Sequence, residues 1–407
     1  MSIDVVDLAR RLVAIPSESS QSNMPVMEEL SGELERHGFQ LKRYDQKVFD
    51  EGTGPKVNLV AERGTGNRRV VFSGHVDTVP VGDRGEWDFD PFGGDGIVDG
   101  RLYGRGSVDM KGQVAVMAAA CSEVDDILDD ITLVLAITAD EETGHQGVKS
   151  LTSEHVFERV IGAVVCEPTG MDVIHAHKGA QSLEIDVHGV SCHSSQPDLG
   201  VNAIDQARRL LHEIEERTAD WRAFRIPEFH DESPNYSVVL IEGGVAHNVV
   251  PPLCRVTINA RSLTWENHNA FRTCVQQVID DLRDEDTDAG ISEDRRFSAE
   301  FRLPIVAPPM LTPVDAPWHQ IALRLREQTS PKFVRYGTDG GVLSMVGLPC
   351  VVMGPGDIAR AHKPNEYITV EELKDAVPIY GELLRLTAAS DLPTVDTTLW
   401  DGPIRPY

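Results

Sequence analysis

Histidines and carboxylates in this sequence gather where apolar runs end. His75 and Asp77 follow Val70-Val71-Phe72, and Asp140-Glu141-Glu142 follow Ile131–Ala139. Glu167 follows Ile161–Cys166, and His362 comes shortly after Cys350–Met353 and the turn Gly354-Pro355-Gly356. One more acid, Asp109, sits in the loop Gly104-Arg105-Gly106-Ser107-Val108-Asp109-Met110-Lys111-Gly112, ahead of an apolar helix. Each has an ordinary reading taken singly. H-x-D patterns are common, Asp109 can cap the following helix, an acidic run is usually solvated, and Glu167 and His362 can be plain loop residues.

Together they are the donors of a metal centre. Acids crowded as in Asp140-Glu141-Glu142 raise one another's pKa unless cations offset them. A pair of dications does so, and one Glu can then bind metal while its neighbour stays free as a base for water. Mixed imidazole and carboxylate donors suit zinc, with cobalt or manganese as substitutes. In an extended chain residues i and i+2 face one side, so Asp77 can orient His75. The expectation is a two-metal hydrolytic site with Asp109 shared between the metals. His175 and His177, just before Lys178, read as structural or hinge residues. Cys166 and Cys192 have no base partner and are not read as nucleophiles.

A fold must bring these run ends to one place. The 407 residues are enough for two domains with real cores. Helices are expected over Asp4–Ala14, Pro25–His37, Gln113–Asp126 and Val370–Thr387, with strands near Phe39–Tyr44 and Val57–Ala61. Continuous apolar strands alternating with helices indicate an α/β domain, a largely parallel sheet with helices on both faces. Sites in such sheets form at the carboxyl ends of strands. The middle of the chain reads differently. Ser182–His188, helix Val201–Thr218, Tyr236–Ile241, Leu253–Arg261, helix Glu266–Arg283 and Phe297–Leu303 form the order β-α-β-β-α-β, a ferredoxin-like unit. The expected domains are 1–179 with 304–407, discontinuous and catalytic, and 180–303, inserted. Pro304 and Pro308-Pro309 mark the return, and Ala388–Tyr407 reads as a surface extension.

The net charge of −27 disfavours nucleic acid and anionic membranes as partners. No apolar run approaches the roughly 18 residues of a membrane span, and Met1-Ser2-Ile3-Asp4 does not open a signal pattern. The six cysteines form no C-x-x-C pair, which suits a reducing compartment. The expectation is a cytoplasmic protein.

In this order the segments Ser73-Gly74-His75-Val76-Asp77-Thr78-Val79-Pro80, the Asp109 loop, Thr138-Ala139-Asp140-Glu141-Glu142-Thr143 and Cys166-Glu167-Pro168-Thr169 carry a resemblance. They resemble the zinc-dependent amidohydrolase and exopeptidase family that includes acetylornithine deacetylase, succinyl-diaminopimelate desuccinylase and glutamate carboxypeptidase. The likeness runs from the first helix to about Thr387. Ala176-His177-Lys178-Gly179, His193-Ser194-Ser195, Gly200-Val201-Asn202-Ala203-Ile204, Gly354-Pro355-Gly356 and Ala361-His362-Lys363-Pro364-Asn365-Glu366-Tyr367 are most similar to the acetylornithine deacetylase subfamily. Asp339, in Tyr336-Gly337-Thr338-Asp339, resembles instead the carboxypeptidase-like members.

The resemblance implies two zinc ions, one on His75, Asp109 and Glu167, the other on Asp109, Glu142 and His362. It implies Glu141 as general base and later acid, with Asp77 orienting His75. His193 would stabilise the oxyanion, supplied by the partner subunit of a homodimer formed through the inserted domain. Lys178, Asn248, Arg261 and Thr338 are the implied substrate contacts, with Arg261 the preferred partner of a substrate carboxylate. The implied substrate is a small N-acyl amino acid, N-acetyl-L-ornithine first. Rival readings are another deacylase or carboxypeptidase on the same scaffold, and a catalytically silent amino-acid-binding protein.

Overall fold

Four strands, Ile131–Thr138, Arg68–His75, Val160–Val165 and Cys350–Val352, lie side by side in that order and run parallel. They are the centre of a nine-stranded sheet in the computed structural model, which describes residues 2–45, 54–93 and 96–397. Every residue of Ile131–Thr138 and of Val160–Val165 is buried, as a sheet covered on both faces requires. The flanks are antiparallel. Gln40–Asp45 and Val57–Arg63 extend one side, and Ile174–His177 with Met310–Leu311 extend the other. The sheet is therefore parallel at its centre and mixed at its margins. Lys332–Val334 also pairs with Ile174–His177, in parallel.

The helices follow from their sequence patterns. Val5–Val13 is capped by Asp4, whose carboxylate accepts from the Val6 and Asp7 amides, and it buries Leu8, Ala9 and Leu12. Lys111–Ser122 is buried on every side, which its run of Ala and Val permits. It ends four residues before the expected Asp126, where a short 3-10 turn, Asp125–Ile127, takes over. Val370–Ala388 opens on a capping box of Thr369 and Glu372. Its Tyr380 ring meets Phe72 edge-on at 4.9 Å, tying the helix to the strand that ends at His75. Helices Gln146–Ser153, Pro317–Leu325 and Gly340–Met345 had no strong signal in the sequence. Val395 exchanges backbone hydrogen bonds with Val160, so the tail is held at the sheet as far as that residue. The rest of the expected extension, 398–407, lies outside the described residues.

The chain divides into two compact units. One comprises the described residues up to His177 and from Met310 onward, and the other is Lys178–Pro309. The second unit has strands Gly179–His188, Asn235–Gly243, Leu253–Ser262 and Ser298–Ala307, all antiparallel. Numbered along the chain, their spatial order is 2-3-1-4, the ferredoxin-like arrangement. Helices Ala203–Arg217 and Trp265–Asp288 supply Leu210, Ile214, Phe271 and Val275 to the core of this unit. Its edge strand Asn235–Gly243 is exposed, including Val238, Val239, Leu240 and Ile241. Among the described residues no helix is long and apolar enough to cross a membrane.

Candidate metal centre

The four parallel strands end on one rim, and each contributes. His75 is the last residue of Arg68–His75. Glu141 and Glu142 stand on the turn after Ile131–Thr138, and Glu167 just past Val160–Val165. His362 follows the turn Ile358–Arg360 beyond Cys350–Val352. Gly354 lets the last two of these loops meet, since a Cβ there would lie 2.6 Å from the carbonyl oxygens of Cys166 and Glu167. Asp109 comes from the glycine loop, across a cis Asp109–Met110 peptide. Met110 takes the cap position of Lys111–Ser122, and no side chain caps that helix. Asp109 is thus not the helix cap, and its carboxylate faces the rim.

The two oxygens of Asp109 divide between two histidines. Oδ1 lies 3.2 Å from His75 Nε2, and Oδ2 lies 3.1 Å from His362 Nε2. Glu167 Oε1 approaches His75 Nε2 at 3.4 Å, while Glu142 Oε1 approaches His362 Nε2 at 3.1 Å. Two groups of three donors therefore meet at one carboxylate. His75, Asp109 and Glu142 also have donor atoms all within 4.8 Å of one another.

These residues fit a metal on their chemistry. His75 Nδ1–H donates to the backbone carbonyl of Asp77 at 2.9 Å. Its Nε2 is buried without a hydrogen bond, aimed among Asp109, Glu167 and Glu141. A bare lone pair facing carboxylates in a dry site is untenable, so Nε2 must carry a proton or a metal. The same choice faces the whole cluster. Burial opposes charge on His75, yet Asp109 and Glu167 raise its pKa well above the ordinary value. Hydrogen bonds to Asp109 and Glu142 raise His362 to about 10. Burial, with the charge of Asp109, pushes Glu142 to about 7 and Glu167 to about 8. Burial pushes Asp109 up too, but the neighbouring His362 and His75 prevail and hold it below the usual carboxylate range. Protons and metals compete for one set of atoms.

Asp77 does its positioning in two ways. Its carbonyl holds His75, while its carboxylate, 3.6 Å from His75 Nδ1, bonds elsewhere. Oδ1 accepts from the Glu141 amide at 3.2 Å, and Oδ2 from the Glu142 amide at 3.3 Å and Ser19 Oγ at 2.7 Å. Asp77 thereby fixes the turn bearing both glutamates. The third acid of that run leaves the cluster. Asp140, at φ 55°, forms a buried ion pair with Lys56.

Two further groups escaped the sequence reading. His145 Nδ1 lies 3.2 Å from Glu141 Oε1 and 3.1 Å from Asp339 Oδ1, and Thr138 Oγ donates to Asp339 Oδ2 at 2.7 Å. Burial opposes charge on His145, but Glu141 and Asp339 raise its pKa to about 9. Glu366 accepts from the Val108 and Asp109 amides at 3.0 and 3.1 Å on Oε1, and from Arg105 Nη1 at 2.7 Å on Oε2. The carboxylate of one ligand loop thus grips the backbone of the other. The only signals in the sequence were a histidine four residues after Glu141 and an arginine in the glycine loop.

The remaining expected site residues are placed as follows. Thr338 is buried in the first unit, where its hydroxyl accepts from the Gly340 amide at 3.0 Å. Lys178, His193, Asn248 and Arg261 belong to the second unit. Lys178 pairs with Glu232 at 2.8 Å, and the Asn248 carbonyl accepts from the Ser194 amide at 3.0 Å. Arg261 is half-buried, and burial lowers its pKa. His193 is exposed, with Nδ1 accepting from the Ser195 amide at 3.1 Å. Its other nitrogen, Nε2, must therefore carry the proton and act as a donor. Burial raises the Cys166 thiol, as expected of an inert cysteine.

The chain is similar to known proteins in sequence and in fold. Acetylornithine deacetylase of Myxococcus xanthus is 32% identical over 372 residues, 89% of this chain and 92% of that one. Acetylornithine deacetylase of Klebsiella pneumoniae (strain 342) is 31% identical over 392 residues, 93% of this chain and 96% of that one. In structure, the chain is similar to aminopeptidase PepT from Bacillus cereus, with TM-score 0.71 at 20% identity, covering 95% of this chain and 98% of that one. It is also similar to the Bacillus subtilis YXEP protein, described as a dinuclear metal-binding peptidase of the M20 family, with TM-score 0.64 at 16% identity over 94% and 97% of the two chains. At these identities the solved structures speak for the fold. Residues 71–386 match the family described as peptidase family M20/M25/M40. The chain belongs to that family and is a metal-dependent amidohydrolase.

Proposed function

We propose that this protein is a di-zinc deacylase that hydrolyses N-acetyl-L-ornithine to L-ornithine and acetate. The observation that carries the two-metal part is the division of Asp109, one oxygen toward His75 and the other toward His362. On this reading His75, Asp109 and Glu167 hold one zinc, and Asp109, Glu142 and His362 the other. Cobalt or manganese would substitute in the same donor set. The substrate part is supported by the relatives named acetylornithine deacetylase, which match along most of the chain. Asp339 had favoured a carboxypeptidase-like alternative. Both of its oxygens are engaged, by His145 and Thr138, a structural role that fits either alternative's scaffold and leaves the relatives as the support for the substrate.

When bound, the zinc ions supply Lewis-acid polarisation of the amide carbonyl and a water acidic enough to attack near neutral pH. Glu141 takes the proton from that water and later delivers it to the leaving amine, so the nitrogen departs as ornithine and the acyl carbon as acetate. Asp77 holds the Glu141 and Glu142 amides in place. His193 donates from Nε2 to the developing oxyanion. The Arg261 guanidinium receives the substrate carboxylate, and Lys178, Asn248 and Thr338 complete the pocket. His193 comes from a partner subunit, in a homodimer joined through the second unit. A cytoplasmic setting goes with this reading, and six free thiols suit it.

The test is a kinetic panel on zinc- and cobalt-loaded protein: N-acetyl-L-ornithine, other acetylated amino acids, succinyl-diaminopimelate and acyl-glutamates. Acetylornithine should give the highest kcat/KM, and a better substrate elsewhere in the panel sinks the assignment. Glu141→Ala should abolish turnover with metal content intact, and activity in that variant removes Glu141 as the base.

A further inference from the structure

Glu141 is a poor base unless something holds it. It shares its site with Asp109, Glu142 and Glu167, all acids, and a carboxylate on a side chain with three rotatable bonds turns away from such company. Its Oε2 lies 3.9 Å from His75 Nε2. Its Oε1 points the other way, 3.2 Å from His145 Nδ1. His145 is anchored in turn, because Nδ1 meets Asp339 Oδ1 at 3.1 Å and Asp339 Oδ2 receives the Thr138 hydroxyl at 2.7 Å. Thr138, Asp339 and His145 are all buried, so water does not compete for these contacts.

The place of His145 in the chain is unusual for a merely structural residue. It stands at the cap position of helix Gln146–Ser153, yet its side chain makes no capping bond. Its backbone is left-handed, at φ 61°, a conformation that disfavours any residue with a Cβ. Ser, Asn or Gly would serve the helix better there. What an imidazole adds is a rigid N–H donor that reaches two carboxylates from one nitrogen.

We propose that His145, backed by Asp339 and Thr138, is a positioning residue that locks Glu141 so that Oε2 alone is presented to the reacting water. This rests on the reading of Glu141 as the base. The two oxygens of Glu141 then have separate duties. Oε1 is tethered, and Oε2 carries the proton from water to the leaving amine. Asp339, which in the sequence carried the resemblance to carboxypeptidase-like members, becomes the anchor of the tether.

The experiment is steady-state kinetics on metal-loaded variants, using whichever substrate of the panel is turned over fastest. His145→Ala should lower kcat about ten- to a hundredfold, the range for groups that orient a catalytic residue. KM and zinc content should stay within about twofold of the parent, since neither substrate nor metal touches His145 on this reading. His145→Asn, whose amide N–H can take the place of Nδ1–H, should recover most of the loss. In a Glu141→Asp background the carboxylate is drawn back by one methylene, out of reach of the tether. There His145→Ala should cost less than about twofold, the signature of two residues acting as one. An unchanged kcat in His145→Ala overturns the proposal, as does an equal loss in both backgrounds or a loss that follows zinc content. If His145→Ala does not fold, Asp339→Asn serves instead, with a fall in kcat of about tenfold expected and parental kcat overturning the tether. Parental kcat in either variant beside a dead Glu141→Ala defeats the tether alone. A live Glu141→Ala defeats the assignment of the base beneath it.

Discussion

Asp109 shows how much one side chain can be asked to do when its surroundings are fixed. The protons that the metal-free cluster collects have a consequence for stability. Glu142 and Glu167 have folded pKa values raised by burial to about 7 and 8, and His362 is raised to about 10 by Asp109 and Glu142. A raised folded pKa contributes stability that is full below the unfolded pKa and lost as pH rises through the folded one. For the two glutamates that window runs from their ordinary value of 4.5 up to about 8, and for His362 from 6.5 up to about 10. Asp109 works in the opposite sense, but its contribution is lost only in acid, below its ordinary 3.8. Chelated protein should therefore lose thermal stability steadily from about pH 5 to pH 9, while zinc-loaded protein should not follow that slope. Melting temperatures of both forms across the range check this, and parallel curves would count against metal and protons sharing these atoms.

At the scale of elements, the glycine loop and the His362 loop are one device because Glu366 joins them. Glu366→Gln would turn an amide N–H toward the Arg105 guanidinium and break one side of the clamp. Zinc affinity, measured by competition with a chelator, should fall about tenfold, as for other groups that orient ligands. An affinity equal to the parent's would mean that Glu366 serves only to bury Arg105. The clamp also marks the limit of what the sequence could say. His75, Glu142, Glu167 and His362 were legible because buried apolar strands must end somewhere, and sheet sites form at those ends. The central strands and the six expected helices were legible from a related signal, the burial of apolar residues. Glu366 was visible only as a letter in a motif, since its partners lie as far as 261 residues away. The Asp339 contact with Thr138 spans 201 residues, and no local pattern announces it. Asp140 was misleading, because nothing near it in sequence points to Lys56. The short flanking strands were missed because two to four residues carry no period.

At the scale of the whole molecule, the second unit presents an open sheet edge. Asn235–Gly243 offers unpaired backbone groups together with Val239 and Leu240, which are 51% and 62% exposed. A bulge between Val238 and Leu240 interrupts the ladder there. An apolar edge of this kind is a hazard unless a partner covers it, and a second copy of the chain is the occupant that the proposed function requires. Leu240→Lys should convert the proposed dimer to monomer in sedimentation, with loss of turnover if His193 acts across the interface. A Leu240→Lys monomer with full activity would return His193 to its own subunit. The division of the first unit around Lys178–Pro309 has a different kind of consequence, one of timing. Translation delivers His75, Asp109, Glu141, Glu142 and Glu167 early, then the whole second unit, and only afterwards His362 and Glu366. On the proposed reading, a growing chain on the ribosome is therefore an acid-rich, unfinished chelator for much of its synthesis. Tight metal capture waits until the C-terminal segment has emerged, so on the proposed reading a chain cut short cannot load both metals, and metal content becomes a record of complete synthesis.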